Sequence, residues 1–257
     1  MTRDQIIELL TALRLRGMLE VIERELEEAE REGRSVAETL GRVLREELRY
    51  RQERAMAYRL NQAKIPWQWS LETFPYRDQP SVNKAQIQAL AGLDFIQRAE
   101  NVVLIGPTGT GKSGLASGLL RHALINGYRG RFYAAQDLVD ELYASLADRS
   151  SPKLLKRLAA YDLIVIDELG YLTLNKEQVN AFFKLIDLRY GRKSSIITSN
   201  LDYEDWYELF QRKPLVDALL DRLRHHCTTL RLEGPSLRTP DPDGDKPKKK
   251  NPQRPRS

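Results

Sequence analysis

The sequence predicts an α/β protein, in which a three-layer domain with a mainly parallel sheet follows a small all-α helical domain. Three observations support this fold class. Residues 101–125 have the pattern of a buried strand, a glycine loop and a helix. Residues 163–168 are a second apolar run, which ends in two carboxylates. Residues 1–64 carry apolar positions at helical spacing and show no strand signal.

Residues 1–64 are predicted to form the helical domain, with a role in self-association, partner binding or DNA binding. Ser35 and Glu38 form the pattern that begins a capped helix. In the long helix that follows, the apolar positions expected to face inward are Val36, Leu40, Val43, Leu44 and Leu48. Charge is divided, since residues 1–32 carry nine acids and five bases, and residues 33–64 carry eight bases and four acids.

Three arginines, Arg42, Arg45 and Arg49, share one face of that helix and are candidate DNA contacts. The alternative is a solvated surface with ion pairs inside the helix, and the sequence leaves both open.

Residues 65–83 break the helical pattern because three prolines separate the aromatic residues Trp67, Trp69, Phe74 and Tyr76. We expect a connector whose aromatic rings pack onto the next domain. That domain is predicted to span residues 84–238, with one helix over about 84–98 at its start. Residues 239–257 are rich in Pro, Lys and Arg and lack apolar periodicity, so they are predicted to be a disordered basic tail.

Residues 106–113 match the phosphate-binding pattern G-x-x-x-x-G-K-[ST] between the predicted strand and helix. Glycines allow backbone N–H groups to surround phosphate oxygens, and the helix start directs its positive end at the same anion. We expect Lys112 to reach the β- and γ-phosphates of ATP and Ser113 to ligate Mg²⁺. The predicted nucleotide-binding residues of this loop are Gly106, Pro107, Thr108, Gly109, Thr110, Gly111, Lys112, Ser113 and Gly114.

Acidic and amide side chains follow two more predicted strands. Asp167 and Glu168 end the apolar run of residues 163–166, at the sheet edge where open α/β folds bind ligands. We expect Asp167 to hold Mg²⁺ and Glu168 to orient and deprotonate the attacking water. Asn200 ends another buried strand and is predicted to reach the γ-phosphate or that water, although alone it could be a turn residue.

Composition limits the class of protein. Hydrophobic residues make up 41% and charged residues 30%, and no run approaches the length of a membrane span. The N-terminus has no signal-peptide pattern, so a cytoplasmic location is expected. Cys227, the single cysteine, excludes an internal disulfide, and the adjacent His225 and His226 cannot easily converge with it on one metal ion. The net charge of +5 weakly favours nucleic acid as a partner.

The motifs at residues 106–113, 163–168 and 195–200, with Asp-Arg-Leu-Arg-His-His at residues 221–226, resemble the AAA+ ATPases of the DnaA/DnaC initiator and helicase-loader clade. Within that clade the chain is similar to the IstB-like helper ATPases, which are encoded beside the transposase in bacterial insertion sequences. The similarity covers roughly residues 5–238. Its signs include residues 13–18, residues 80–84 and the sequence Asp-Glu-Leu-Gly-Tyr-Leu at residues 167–172.

This resemblance implies ATP hydrolysis, oligomerisation in a ring or helix, and three partners: duplex DNA without sequence preference, other copies of the chain, and the cognate transposase. It assigns Asn200 to sensor 1, Arg222 to the arginine finger and Arg238 to sensor 2. Taken alone, Arg222 could instead be a surface arginine paired with Asp221. Unlike much of the clade, the chain shows no helical lid pattern after Arg238 and no N-terminal cysteine cluster.

The resemblance also implies that the region between the second predicted strand, residues 130–134, and the strand that begins at residue 163 faces the central channel of the assembly. Lys153, Lys156 and Arg157 share one helical face there and are candidate DNA contacts, with a solvated face as the alternative. The expected function is ATP-dependent regulation of DNA transposition, by target selection or remodelling and transposase recruitment, with hydrolysis driving release. A replicative helicase loader shares every catalytic residue, and a small-molecule kinase would leave Arg222 and the N-terminal helices unexplained.

Overall fold

The computed structural model describes residues 2–66, 68–210 and 213–238. Trp67 and the predicted tail of residues 239–257 therefore lie outside the described residues. The strands are β1 Asn101–Ile105, β2 Gly130–Ala134, β3 Leu163–Asp167, β4 Ser194–Ser199 and β5 Cys227–Arg231. The helices are α1 Arg3–Ala12, α2 Arg16–Leu19, α3 Ile22–Glu32, α4 Val36–Ala63, α5 Lys84–Ala91, α6 Asp94–Gln97, α7 Lys112–Ile125, α8 Ala135–Ala147, α9 Ser151–Ala159, α10 Lys176–Arg189, α11 Trp206–Phe210 and α12 Lys213–His225.

The five strands form one sheet in the order β2-β3-β4-β1-β5, and every neighbouring pair is parallel. The predicted parallel sheet is confirmed. Val102 pairs with Ile196 and Ile105 with Ser199, which brings the ends of β1 and β4 to the same sheet edge. The carboxyl ends of β1, β3 and β4 therefore meet where the predicted motifs begin.

Helices cover both faces of the sheet, as the predicted three-layer arrangement requires. Alternate strand residues point to opposite sides, since Val103 and Ile164 join one buried cluster and Val102 and Val165 join the other. Helices α8 to α12 cover the first face. Helix α7 and the connector cover the second.

The N-terminal helices form a separate small core of five buried residues, Leu10, Met18, Val21, Ile22 and Val43. Ser35 Oγ accepts the Glu38 N–H at 3.2 Å, so the predicted start of α4 is correct. The prediction that five α4 residues face inward is wrong except at Val43, which is 1% exposed. Val36 is 85% exposed, and Leu40, Leu44 and Leu48, here called the leucine stripe, are 52%, 51% and 57% exposed. Only the face of α4 that carries Thr39, Val43 and Glu47 is covered by the short helices before it.

Helix α4 packs on both parts of the molecule. Its length of about 42 Å takes its C-terminal end to the sheet. There Arg59 Nε donates to the Leu124 carbonyl at 2.9 Å, and Arg131 donates to the Gln62 carbonyl at 3.1 Å. Ala63 is fully buried in the cluster on that face. Because one helix belongs to both cores, the division of the chain at residue 64 stays a prediction.

Two more sequence predictions are settled by local geometry. The single helix expected over residues 84–98 is interrupted after Ala91, because Leu93 takes the left-handed conformation with φ 62°. Asn83 does cap α5, accepting N–H groups from Ala85 and Gln86. Within the described residues no helix follows β5 up to Arg238, and the segment after Arg238, where a lid would begin, lies outside the described residues. Nor is any described helix both long and apolar enough to span a bilayer.

Candidate nucleotide-binding site

The loop between β1 and α7 is shaped by two glycines. Gly109 and Gly111 have φ values of 86° and 93°, a region that L-residues rarely adopt. A Cβ on Gly111 would lie 2.8 Å from the Phe74 ring, and one on Gly109 would overlap Ser236 Oγ. Only glycine therefore fits both the turn and the close packing around it.

Lys112 begins α7 and is 9% exposed. Its Nζ donates to the carbonyls of Gly106 and Pro107, each at 2.8 Å, so the ammonium lies inside the loop. Burial lowers the pKa of Lys112, and the carboxylates of Asp167 and Glu168 oppose that shift. The side chain predicted to bind phosphate therefore lies within the loop itself.

Thr110 and Thr108 have different surroundings in the same loop. The Thr110 side chain is fully buried and donates to the Pro107 carbonyl at 2.9 Å, so it maintains the shape of the loop. The Thr108 hydroxyl is exposed and makes a short hydrogen bond with the Tyr171 hydroxyl. Tyr171 was not predicted as a site residue, although it stands three positions after Glu168.

Asp167 ends β3 beside the loop and is 7% exposed. Burial raises the pKa of Asp167, while hydrogen bonds with the hydroxyls of Thr198 and Ser113 oppose the rise. Hydroxyl and carboxylate oxygens are the donors that Mg²⁺ prefers. The contact between Ser113 and Asp167 therefore suits the predicted pair of metal ligands.

Glu168 and Asn200 lie on adjacent strand ends. Glu168 takes the left-handed conformation with φ 63° and ψ 42°, which is strained for a residue with a Cβ. Its N–H donates to Thr198 Oγ1 at 2.9 Å. Asn200 Oδ1 is buried without a hydrogen-bond partner among the described residues, and Gly170 has no side chain to displace it.

One cleft of about 340 Å³ brings most of the predicted residues together. Of the predicted set, its walls include Thr108, Gly109, Gly111, Lys112, Ser113, Gly114, Asp167, Glu168, Asn200 and Arg238. Its other lining residues are Pro66, Trp69, Phe132, Ala134, Tyr171 and Leu237. Sequence patterns missed Phe132 and Ala134 as lining residues because nothing in an apolar strand marks the residues that border a cleft.

The segment of residues 232–238, here called the strap, crosses the loop after β5. Leu237 N–H donates to the Gly109 carbonyl at 2.8 Å, which places Arg238 at the cleft. Two connector residues hold the strap, since Gln79 Nε2 donates to the Pro235 carbonyl at 2.5 Å and Ser81 Oγ accepts the Glu233 N–H at 2.8 Å. The connector also packs Trp69 against Gly114.

Arg222 is not among the residues that line this cleft. It lies on the last turn of α12, where Nε is 2.9 Å from Asp187 Oδ1 of α10. The predicted alternative partner, Asp221, is not the residue that it pairs with. The Arg222 side chain is 29% exposed, and its guanidinium contacts α10 of its own chain.

The candidate DNA contacts lie outside the cleft, on two exposed helix surfaces. On α9, Leu154, Leu155 and Leu158 are buried, and Lys153, Lys156 and Arg157 are exposed. Arg157 pairs with Glu141. On α4, Arg42 pairs with Glu38 at 3.3 Å and Arg49 with Glu46 at 2.5 Å, whereas no ion pair is found for Arg45 in the described chain. Arg42 and Arg49 thus have the intrahelical pairs of the alternative interpretation, and within the described residues Arg45 does not.

Residues 8–242 match the family described as IstB-like ATP binding protein. This chain belongs to that family. A relative of this IstB-like chain, the insertion sequence IS21 putative ATP-binding protein of Pseudomonas aeruginosa, is 37% identical over 90% of this chain and 87% of its own length. The insertion sequence IS5376 putative ATP-binding protein of Geobacillus stearothermophilus is 35% identical over 79% of this chain and 81% of its own.

Solved structures extend the comparison of the IstB-like chain to its fold. The DnaC helicase loader superimposes with a TM-score of 0.58 and 25% identity, covering 66% of this chain and all of that one. DnaA from Aquifex aeolicus, bound to AMPPCP, superimposes with a TM-score of 0.55 and 17% identity over 65% of this chain and 51% of its own. The α/β domain therefore has the AAA+ fold of the DnaA/DnaC type.

Proposed function

We propose that this IstB-like protein is an ATP-dependent, DNA-binding regulator of DNA transposition. In this proposal it forms a ring or helical oligomer on duplex DNA, selects or remodels the target and recruits the cognate transposase. ATP hydrolysis then drives release. It would act in the bacterial cytoplasm, associated with the nucleoid when bound to DNA. The supporting observation is one cleft that contains Lys112, Asp167 and Glu168 in a chain of this family.

The cleft residues suggest how hydrolysis would proceed. The glycine loop and Lys112 would bind the phosphates of ATP, and Ser113 and Asp167 would hold Mg²⁺, which would neutralise charge on the phosphate oxygens. Glu168 accepts a proton from the water that attacks the γ-phosphate. Asn200 orients that water, and Arg238 binds the phosphates from the strap.

Three features support oligomerisation as part of this proposal. Arg222 lies outside the cleft of its own chain, so it would complete the site of a neighbouring copy. The leucine stripe on α4 exposes apolar surface that a second copy could cover. The opposite charges of residues 1–32 and 33–64 favour contact between copies.

We propose residues 1–64 as the self-association and partner domain, residues 84–238 as the ATPase domain, and the basic tail as a further DNA contact.

A helicase loader is the second candidate, because the DnaC loader is similar over all of its solved chain. That similarity covers 66% of this chain, whereas the IstB-like match spans residues 8–242 and so includes most of the N-terminal helices. The two functions differ in the partner protein and share the ATPase site.

The decisive experiment is capture of purified partners by the full-length chain, with ATP and duplex DNA present. We expect retention of the transposase encoded beside this gene and no retention of the replicative helicase of the same cell. The Glu168→Gln variant, which should hold ATP without turnover, stabilises the complex for capture. Capture of the helicase instead would contradict the transposition proposal and support the loader.

A further inference from the structure

Thr198 of β4 is a buried hydroxyl that contacts two functional residues at once. Its Oγ1 donates to Asp167 Oδ1 at 2.5 Å and accepts the Glu168 N–H at 2.9 Å. The residue is fully buried. One side chain therefore bonds both the carboxylate assigned to Mg²⁺ and the backbone of the residue assigned to water activation.

We propose that Thr198 is a positioning residue for ATP hydrolysis, which orients the Asp167 carboxylate and holds the Glu168 backbone in its strained conformation. The inference rests on the proposed ATPase function, and it adds a residue whose role differs from that of Asn200, two positions further on. Thr198 does not line the cleft, so it acts through Asp167 and Glu168.

The position of Thr198 explains why a side chain is needed here. Backbone pairing between β3 and β4 runs as far as Ile166 with Ile197. Thr198 is the next residue of β4, and its hydroxyl accepts the N–H of Glu168, where the backbone leaves the strand. A left-handed conformation is unfavourable for a residue with a Cβ. The bond from Glu168 N–H to Thr198 offsets that cost and restrains the direction of the glutamate side chain.

The Thr198 hydroxyl donates its hydrogen to Asp167. Because Oγ1 accepts from a backbone N–H, its own single hydrogen is free to bond Asp167 Oδ1. A bond from a buried hydroxyl fixes one oxygen of the carboxylate and hence the plane of the group. Hydrogen-bonding partners that orient a metal ligand in this way commonly affect metal affinity as well as rate.

Three variants of the full-length chain separate the hydroxyl from the packing of the side chain. Thr198→Val keeps the shape and removes the hydroxyl, and Thr198→Ser keeps the hydroxyl and removes a methyl group. Ser195→Ala is the matched control. Ser195 is also buried on β4, at 1% exposure, but its Oγ accepts from Arg189 Nε at 3.2 Å, at the far end of the strand.

The measurements are nucleotide affinity as a function of Mg²⁺ concentration, steady-state ATP hydrolysis and the thermal midpoint of unfolding. For Thr198→Val we expect the Mg²⁺ concentration at half-saturation to rise, and the turnover number to fall, by about 10- to 100-fold. The affinity for nucleotide without metal should not change. Thr198→Ser and Ser195→Ala should stay close to the parent in Mg²⁺ half-saturation and in turnover number. If the valine variant does not fold, Thr198→Ala is compared with Thr198→Ser, because these two differ by one oxygen atom.

A parental Mg²⁺ requirement and turnover in Thr198→Val would overturn the inference. So would an equal loss in Thr198→Ser, since packing would then be the cause. If the parent itself hydrolyses no ATP, the proposed function fails, and the Mg²⁺ dependence of nucleotide binding still decides the role of Thr198.

Discussion

Arg222 and Asp187 form an ion pair within one chain, with Nε and Oδ1 2.9 Å apart. The same guanidinium lies 4.9 Å from the centroid of the Phe183 ring and donates to the Ala218 carbonyl at 3.1 Å. Helices α10 and α12 thus hold the Arg222 side chain at a defined place on the surface. Such fixation would suit a residue that serves the active site of a neighbouring copy.

We expect Arg222→Ala to bind ATP like the parent and to lose DNA-stimulated hydrolysis, because fingers supplied in trans contribute about 10³–10⁵ in rate. Mixing it with Lys112→Ala tests action in trans. Activity should return in the mixture, where Arg222 of one copy serves the intact loop of another. Full activity of Arg222→Ala alone would mean that the finger lies elsewhere, with Arg224 as the next candidate.

Lys112→Ala and Glu168→Gln should separate nucleotide binding from turnover. Removing the ammonium from the glycine loop is expected to weaken ATP binding, whereas Glu168→Gln should bind ATP and stop hydrolysis, since the amide cannot accept the proton. Equilibrium ATP binding and steady-state hydrolysis measure the two effects. A Glu168→Gln protein that turns over at the parental rate would refute the assignment of the base.

The exposed bases of α9 are predicted to contact DNA phosphates. Replacing Lys153, Lys156 and Arg157 with alanine should weaken binding to all sequences and reduce the salt slope by about one for each phosphate that is no longer neutralised. Basal ATP hydrolysis should persist, because these residues lie outside the cleft. The control removes three exposed lysines elsewhere, Lys176, Lys184 and Lys213, and should change DNA affinity less. If the two triple variants behave alike, net charge is the cause, and the α4 arginines are tested next.

Glu47 should link the stability of the N-terminal helices to pH. Its carboxylate accepts from Gly17 N–H at 2.7 Å, Met18 N–H at 3.2 Å and Arg51 Nε at 2.6 Å. Burial acts to raise the pKa of Glu47, but the bonds from Arg51, Met18 and Gly17 outweigh it and hold the pKa below the ordinary value of 4.5. The stability that ionised Glu47 gives the folded state is therefore fully present above pH 4.5 and is lost as pH falls from there through the lowered native pKa.

Glu47→Gln should lower the free energy of unfolding at neutral pH by about 1–3 kcal/mol, because a buried charged acceptor is removed. The difference from the parent should shrink progressively as pH falls below 4.5 and through the lowered native pKa, where the folded parental Glu47 is protonated too. Unfolding in urea at several pH values measures this. Glu53→Gln is the control, since Glu53 is exposed and pairs with Arg49 at 3.5 Å. A constant difference at all pH values would contradict the linkage.

Local patterns predicted the centre of the sheet well because residues 102–105 and 163–166 are continuous apolar runs between turns. Strands β3 and β4 are buried along their whole length, and the polar residues at their ends marked the cleft. The leucine stripe shows the limit of the same reasoning. Its periodicity identified a helix face correctly, but no pattern within α4 states whether another element covers that face.

Contacts between distant residues were the least predictable part of the site. Thr198 is an ordinary strand residue by its pattern, and its importance comes from the register that places it beside Asp167 and Glu168. Gln79 and Pro235 are separated by 156 positions, and nothing in either local sequence indicates that they meet. Such pairs depend on the assembled sheet and on the path of the chain around it.

The strap has a consequence for the order in which the nucleotide cleft is built during synthesis. The glycine loop at residues 106–113 is made early, but Leu237 and Arg238 of its wall are translated more than a hundred residues later. A nascent chain that has only reached β4 thus holds Lys112, Asp167 and Glu168 without the strap. The complete cleft can exist only when β5 has joined the sheet, so a nascent chain completes the wall of the cleft only after residue 238 has been translated.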